Sequence, residues 1–154
     1  MVMFRGRSSH VLDAKGRLSI PARFREILRG KYDGRIVVTN HPACLAAYPF
    51  EEWRALEENF AASRFARPEV QSFQRYFLAS AEELPVDAQG RILIPPTLRE
   101  EAGIARDVIL LGMLKYFEIW SKDRLGEELR KARENFDQYS RYISTMESGG
   151  QSGN

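Results

Sequence analysis

The sequence predicts an α+β fold built from two copies of one unit, and three observations carry that prediction. The first is an ungapped repeat. Val11-Leu12-Asp13-Ala14-Lys15-Gly16-Arg17-Leu18-Ser19-Ile20-Pro21 returns as Pro85-Val86-Asp87-Ala88-Gln89-Gly90-Arg91-Ile92-Leu93-Ile94-Pro95, with aspartates, glycines, arginines and closing prolines all 74 positions apart. A repeat of this length implies a supersecondary unit that cannot close a core alone. The second is the turn chemistry: an aspartate can hydrogen-bond backbone two residues on, and glycine supplies positive φ before an alternating run. The third is a proline at the end of each run, where a helix can begin.

Taken in order, residues 4–12 carry Arg5, Arg7 and His10 and read as a short strand into the first turn. A helix follows over 21–28, with Phe24, Ile27 and Leu28 on one face and Gly30 as its stop. Residues 36–39 and 44–48 are β-rich and flank Asn40-His41-Pro42, a hairpin connection, and Pro49 ends the second strand. Two helices come next, over 50–60 with Trp53, Leu56 and Phe60 in a stripe, and over 68–79 with Val70, Phe73, Tyr76 and Phe77 at helical spacing.

The second half replays the order: a turn at 87–90, a strand at 91–94, a helix over 96–102 stopped by Gly103, and strands at 108–111 and 116–120. The offset shortens to 72 between Tyr48 and Trp120, and this places the deletion in the hairpin loop, where length changes are tolerated. A final helix over 122–143 sets Leu125, Leu129, Ala132, Phe136, Tyr139 and Ile143 at steps of four and three. Such a seam packs on its own domain or on a neighbouring subunit. The expected organisation is a first repeat with linker helices over 1–80, a second repeat with the last helix over 81–143, and a Ser/Gly-rich flexible tail over 144–154.

Composition is that of an ordinary globular chain, 44% hydrophobic and 29% charged, which argues against disorder. No window approaches a membrane span and no signal peptide opens the chain, so a cytoplasmic protein is expected. The single cysteine, Cys44, forms no internal disulfide, which fits a reducing compartment. Net charge is only +2, yet residues 1–35 hold nine Lys or Arg against three Asp or Glu, and the remainder 14 against 18. That asymmetry is the electrostatic footprint expected for a polyanion partner and is equally compatible with a solvated surface.

Met3-Phe4-Arg5-Gly6, the stretch from Leu12 through Pro21 to Phe24-Arg25, and the second Asp87-x-x-Gly90-Arg91-Ile92-Leu93-Ile94-Pro95 together resemble the MraZ family over the chain up to about residue 143. The two tandem halves of that family look like AbrB-type DNA-binding modules. The resemblance implies a pseudo-twofold, swapped-hairpin double-split β-barrel with additional packing helices. It also implies a nucleoid-associated transcriptional regulator acting at the promoter of its own operon, at the head of the division and cell-wall gene cluster, and assembling into homo-oligomeric rings.

On that footing Arg17 and Arg91, just after the glycine turns, are the candidate DNA readers, where a guanidinium reaches phosphate or the guanine O6 and N7 edge. Lys15 suits phosphate; Gln89 at the matching position reads a base edge but releases no counterion, so the first copy should dominate electrostatic affinity. Arg5 and Arg7 complete the expected DNA-binding set. Asp13, Gly16, Asp87 and Gly90 are assigned to bracing the turns, and an Asp13 salt bridge is the competing role for Arg17. Double-stranded DNA carrying direct repeats is the expected partner, because a head-to-tail ring presents its faces in one rotational sense.

An enzyme is the rival class, and the inventory argues against it. There is no phosphate-binding or dinucleotide fingerprint. His10 and His41 are the only histidines, and His41-Pro42-Ala43-Cys44 offers two metal ligands, too few for zinc unless others converge. No cofactor and no metal is expected. A further rival is an oligomeric scaffold whose basic face binds an acidic protein or RNA without reading DNA sequence.

Overall fold

The computed structural model describes residues 3–62 and 67–151, the side chains of 149–151 excepted. The chain divides into two compact units, Met1–Lys122 and Asp123–Asn154. The first contains β1 (Arg7–Val11), β2 (Arg17–Ser19), α1 (Ala22–Gly30), β3 (Ile36–His41), β4 (Cys44–Pro49), α2 (Phe50–Ala61), α3 (Pro68–Phe77), β5 (Glu82–Leu84), β6 (Arg91–Leu93), α4 (Pro96–Ala102), β7 (Asp107–Gly112) and β8 (Phe117–Ser121). The second is helical, with α5 (Lys122–Glu134) beginning at the boundary and α6 (Phe136–Gln151) after it.

Strand order shows how the repeats combine. A six-stranded sheet runs β1-β7-β8-β4-β3-β5, and a separate two-stranded ribbon pairs β2 with β6, every pairing antiparallel. Exchanging each strand for its repeat mate reverses the sheet order onto itself. The pseudo-twofold axis therefore passes through the Leu18↔Ile92 pair of the ribbon and the Ala46↔Glu118 pair of the sheet. The first strand of each repeat pairs with the hairpin of the other: Arg7 faces Leu111, and Ile36 faces Leu84. This is the expected interleaved α+β architecture, but the sheet is open, with β1 and β5 at its edges.

One core serves both repeats. Phe4, Phe24 and Phe117 meet with ring centroids 5.1–5.3 Å apart, in the tilted and edge-on arrangements aromatic quadrupoles favour. Around them lie Leu18, Ile20 and Leu45 from the first repeat and Ile92, Ile94 and Leu110 from the second, all at most 2% exposed. A second cluster gathers Val37, Trp53 and Phe77, flanked by Tyr48, Leu56 and Phe60, and joins α2 and α3 to the sheet.

The hairpins correct one expectation. β3 pairs with β4 as Ile36↔Pro49 and β7 with β8 as Val108↔Ser121, so both strands of the hairpin carry the single offset of 72. The deletion is not in the hairpin loop. It falls between Pro95 and β7, where α4 spans seven residues against nine for α1. Gly103 explains it: at φ 67° it ends α4 at once, and Ile104 N–H returns to the Arg99 carbonyl at 2.9 Å. In the first repeat Gly30 stays helical, and the left-handed residue is Gly34, whose N–H reaches Leu28 O at 2.9 Å.

Three elements depart from the pattern. β5 carries no strand signal in the sequence, because Glu82 and Glu83 are exposed and only Leu84 is buried, too short a pattern at a sheet edge. The final helix is two segments meeting at Asn135, whose side-chain Nδ2 also donates to the Lys131 carbonyl at 2.9 Å and competes with the helical ladder. Helix α6 continues through Gln151, into the tail expected over 144–154, of which 152–154 lie outside the described residues; the Ser144, Thr145 and Ser148 hydroxyls each donate to the carbonyl four residues back.

Candidate nucleic-acid interface

Each Asp-Ala-x-Gly-Arg turn is closed by its own residues. Asp13 Oδ1 accepts from the backbone N–H of Lys15 at 2.9 Å and of Arg17 at 2.8 Å, while Oδ2 accepts from Arg17 Nε at 2.6 Å. Asp87 repeats the set with Gln89 N–H, Arg91 N–H and Arg91 Nε, each at 2.9 Å. The Arg17 backbone N–H, its guanidinium and the Lys15 N–H together pull Asp13 down to about 2 against the desolvation that opposes them. Asp87 is lowered for the same reason, the Arg91 N–H first.

The glycines permit this geometry and a second one. Gly16 sits at φ 89° and Gly90 at φ 78°. Their carbonyls accept across the pseudo-axis, Gly90 from Ile20 N–H at 2.9 Å and Gly16 from Ile94 N–H at 3.0 Å. A Cβ on Gly16 would lie 2.7 Å from Arg99 Cζ, and one on Gly90 2.5 Å from Arg25 Cδ. Arg25 and Arg99 are themselves 74 residues apart, so the helix of each repeat lays an arginine over the turn of the other. Both Nε atoms are buried without a hydrogen-bond partner. The candidate set from sequence omits this pair, although the repeat offset carries the signal.

The ribbon register places the arginines. Arg17 faces Leu93 and Ser19 faces Arg91, while Leu18 and Ile92 alternate onto the buried side. Arg17, Ser19, Arg91 and Leu93 thus share the outer face, and the two arginines are diagonal neighbours, about 7–8 Å apart between Cα atoms by antiparallel geometry. Leu93 is 54% exposed in their midst. Lys15 and Gln89 stand exposed at the two turn tips, and Gln89 Oε1 accepts from Arg91 Nη2 at 3.4 Å.

Arg5 and Arg7 are placed elsewhere. Both are exposed, Arg7 in β1 at the edge of the six-stranded sheet, and the Arg7 carbonyl accepts from Arg23 Nη2 at 3.3 Å. Arg5 lines a groove with Met3, Arg23, Phe24, Ile27 and Lys31. The basic N-terminal segment therefore supplies a second cationic patch next to α1.

The chain matches the family model described as "MraZ protein, putative antitoxin-like" twice in tandem, over residues 3–76 and 77–144. Among curated relatives, "Transcriptional regulator MraZ" of Syntrophobacter fumaroxidans is 45% identical over 92% of this chain and 94% of its own length. The protein of the same name from Solidesulfovibrio magneticus is 45% identical over 88% of this chain and 90% of its own, and that of Heliobacterium modesticaldum 41% over 88% and 93%. The chain belongs to the MraZ family.

Proposed function

We propose that this protein regulates transcription by reading DNA sequence with the β2–β6 ribbon. The observation that carries the reading is the outward face of that ribbon, on which Arg17 and Arg91 are related by the pseudo-twofold axis and each is held by an aspartate through Nε. A two-stranded ribbon fits the major groove of B-DNA, and an arginine already oriented by a carboxylate presents its terminal nitrogens to guanine at little entropic cost. Lys15 and the Arg5, Arg7 and Arg23 patch add sequence-independent phosphate contacts. Relatives named as transcriptional regulators support the regulatory role.

The natural target is the protein's own promoter, at the head of the division and cell-wall gene cluster, in a cytoplasmic, nucleoid-associated setting. In α6, Phe136, Tyr139 and Ile143 are 67%, 48% and 58% exposed, which favours burial of this seam against a neighbouring subunit in a ring. Head-to-tail subunits call for direct repeats in the DNA, and footprinting that required only an inverted repeat would refute that arrangement.

The test compares binding to the protein's own upstream DNA and to scrambled duplexes across several salt concentrations, for wild type and Arg17→Ala with the oligomer verified intact. Loss of one guanine contact costs about 1–3 kcal/mol, so a roughly 5- to 150-fold loss of preference for the specific duplex is expected. Equal binding of both proteins to both DNAs would leave Arg17 a turn brace. It would favour a scaffold that recognises an acidic protein or RNA.

A further inference from the structure

The β3–β4 hairpin and β8 bring together three side chains that the DNA-binding reading does not use. His41 and Cys44 face each other across the Pro42-Ala43 turn, and strand alternation puts Cys44 on the same face as Ala46. Ala46 pairs with Glu118. One imidazole nitrogen, the Cys44 sulfur and one Glu118 oxygen consequently lie within 4.8 Å of one another.

Glu118 is the informative member. It is 7% exposed, and its Oε1 accepts from Trp120 Nε1 at 3.0 Å, which fixes the carboxylate plane. The other oxygen, Oε2, lies 3.8 Å from His41 Nδ1, too long for a hydrogen bond and wide enough for an ion to bridge the two. Glu118 as a whole is largely withdrawn from water, and a carboxylate held in such a place is stabilised by a cation shared with the imidazole and a thiolate.

We propose that His41, Cys44 and Glu118 bind a divalent transition ion of the zinc type, with the fourth position open to water. Nitrogen, sulfur and oxygen donors in a set of three match the ligand preferences of Zn²⁺, and one thiolate plus one carboxylate neutralise its charge in a buried site. Trp120 acts from behind the carboxylate as the outer hydrogen bond that orients it. The repeat mates of these residues are Met113, Tyr116 and Ala46, which offer no equivalent set, so among the described residues the site has no counterpart in the other repeat. When filled, it ties the hairpin of the first repeat to a strand of the second.

The experiment titrates the reduced, full-length protein with Co²⁺ and then Zn²⁺. One equivalent of Co²⁺ per chain is expected, with a near-ultraviolet thiolate-to-cobalt charge-transfer band that Zn²⁺ abolishes. Cys44→Ser should lose the band, Glu118→Gln and His41→Ala should weaken binding, and Trp120→Phe should weaken it by about tenfold. Zn²⁺ should also raise the melting midpoint of wild type but not of Glu118→Gln, with circular dichroism confirming that each variant is folded. Absence of the band in wild type, two equivalents per chain, or unchanged affinity in a folded Glu118→Gln variant would overturn the proposal.

Discussion

Asp13 and Asp87 each close a turn and orient an arginine with the same carboxylate, and this makes them acid-sensitive. Their native titration points lie below the ordinary carboxylate value, Asp13 at about 2, so each stabilises the fold above the unfolded value near 4 and loses that contribution as pH falls towards the native one. Carboxyl-resolved NMR titration should place Asp13 near 2, and a midpoint near 4 would refute the hydrogen-bonded turn. Gly16→Ala forces a side chain to φ 89° and into the Arg99 guanidinium. We expect a loss of about 2 kcal/mol by chemical denaturation, smaller in an Arg99→Ala background, where only the backbone strain remains. Equal losses in both backgrounds would exclude the arginine from the cost. The Asp-Gly-Arg turns were legible in the sequence because their hydrogen bonds span four residues or fewer. The 74-residue offset marks Arg25 and Arg99 as a pair but does not say what they touch, because each acts on the turn of the other repeat.

At the scale of elements, local chemistry explains both the successes and the misses. Helix α4 begins and ends where proline and glycine place it, at Pro96 and before Gly103. One offset, between Tyr48 and Trp120, does not say on which side of β7 two residues are lost; the register of the paired strands decides it and puts the loss before β7 rather than in the hairpin loop. The same hairpins contain strain. Ala43 lies at φ 70°, a left-handed conformation that costs an alanine about 1–2 kcal/mol, partly offset on replacement by the greater unfolded-state freedom of glycine. Ala43→Gly should therefore stabilise the protein by about 0.5 kcal/mol, read as a higher denaturation midpoint at unchanged slope. A destabilised variant would mean that the turn does not hold this conformation in solution.

Over the whole first unit, the 74-residue repeat revealed that there are two copies but not that they are threaded through each other. β1 of the first repeat finds its partner in β7, β2 in β6 and β4 in β8, and the Phe4, Phe24 and Phe117 cluster draws on both halves. A chain covering 1–80 alone keeps the β3–β4 hairpin but leaves β1, β2 and one edge of β4 without partners, and exposes Leu18, Phe24 and Leu45, which are fully buried in the intact protein. Unpaired strand edges and an open apolar face do not make a stable monomer. Fragments 1–80 and 81–154 should accordingly lack dispersed amide spectra as isolated monomers and recover them on equimolar mixing as a 1:1 complex. Self-association of 1–80 alone into a symmetric dimer is also consistent, since β2 and β4 are the strands that lie against their own repeat mates on the axis. A folded monomeric 1–80 would contradict the interleaving, and with it the ribbon on which Arg17 and Arg91 are brought to one face.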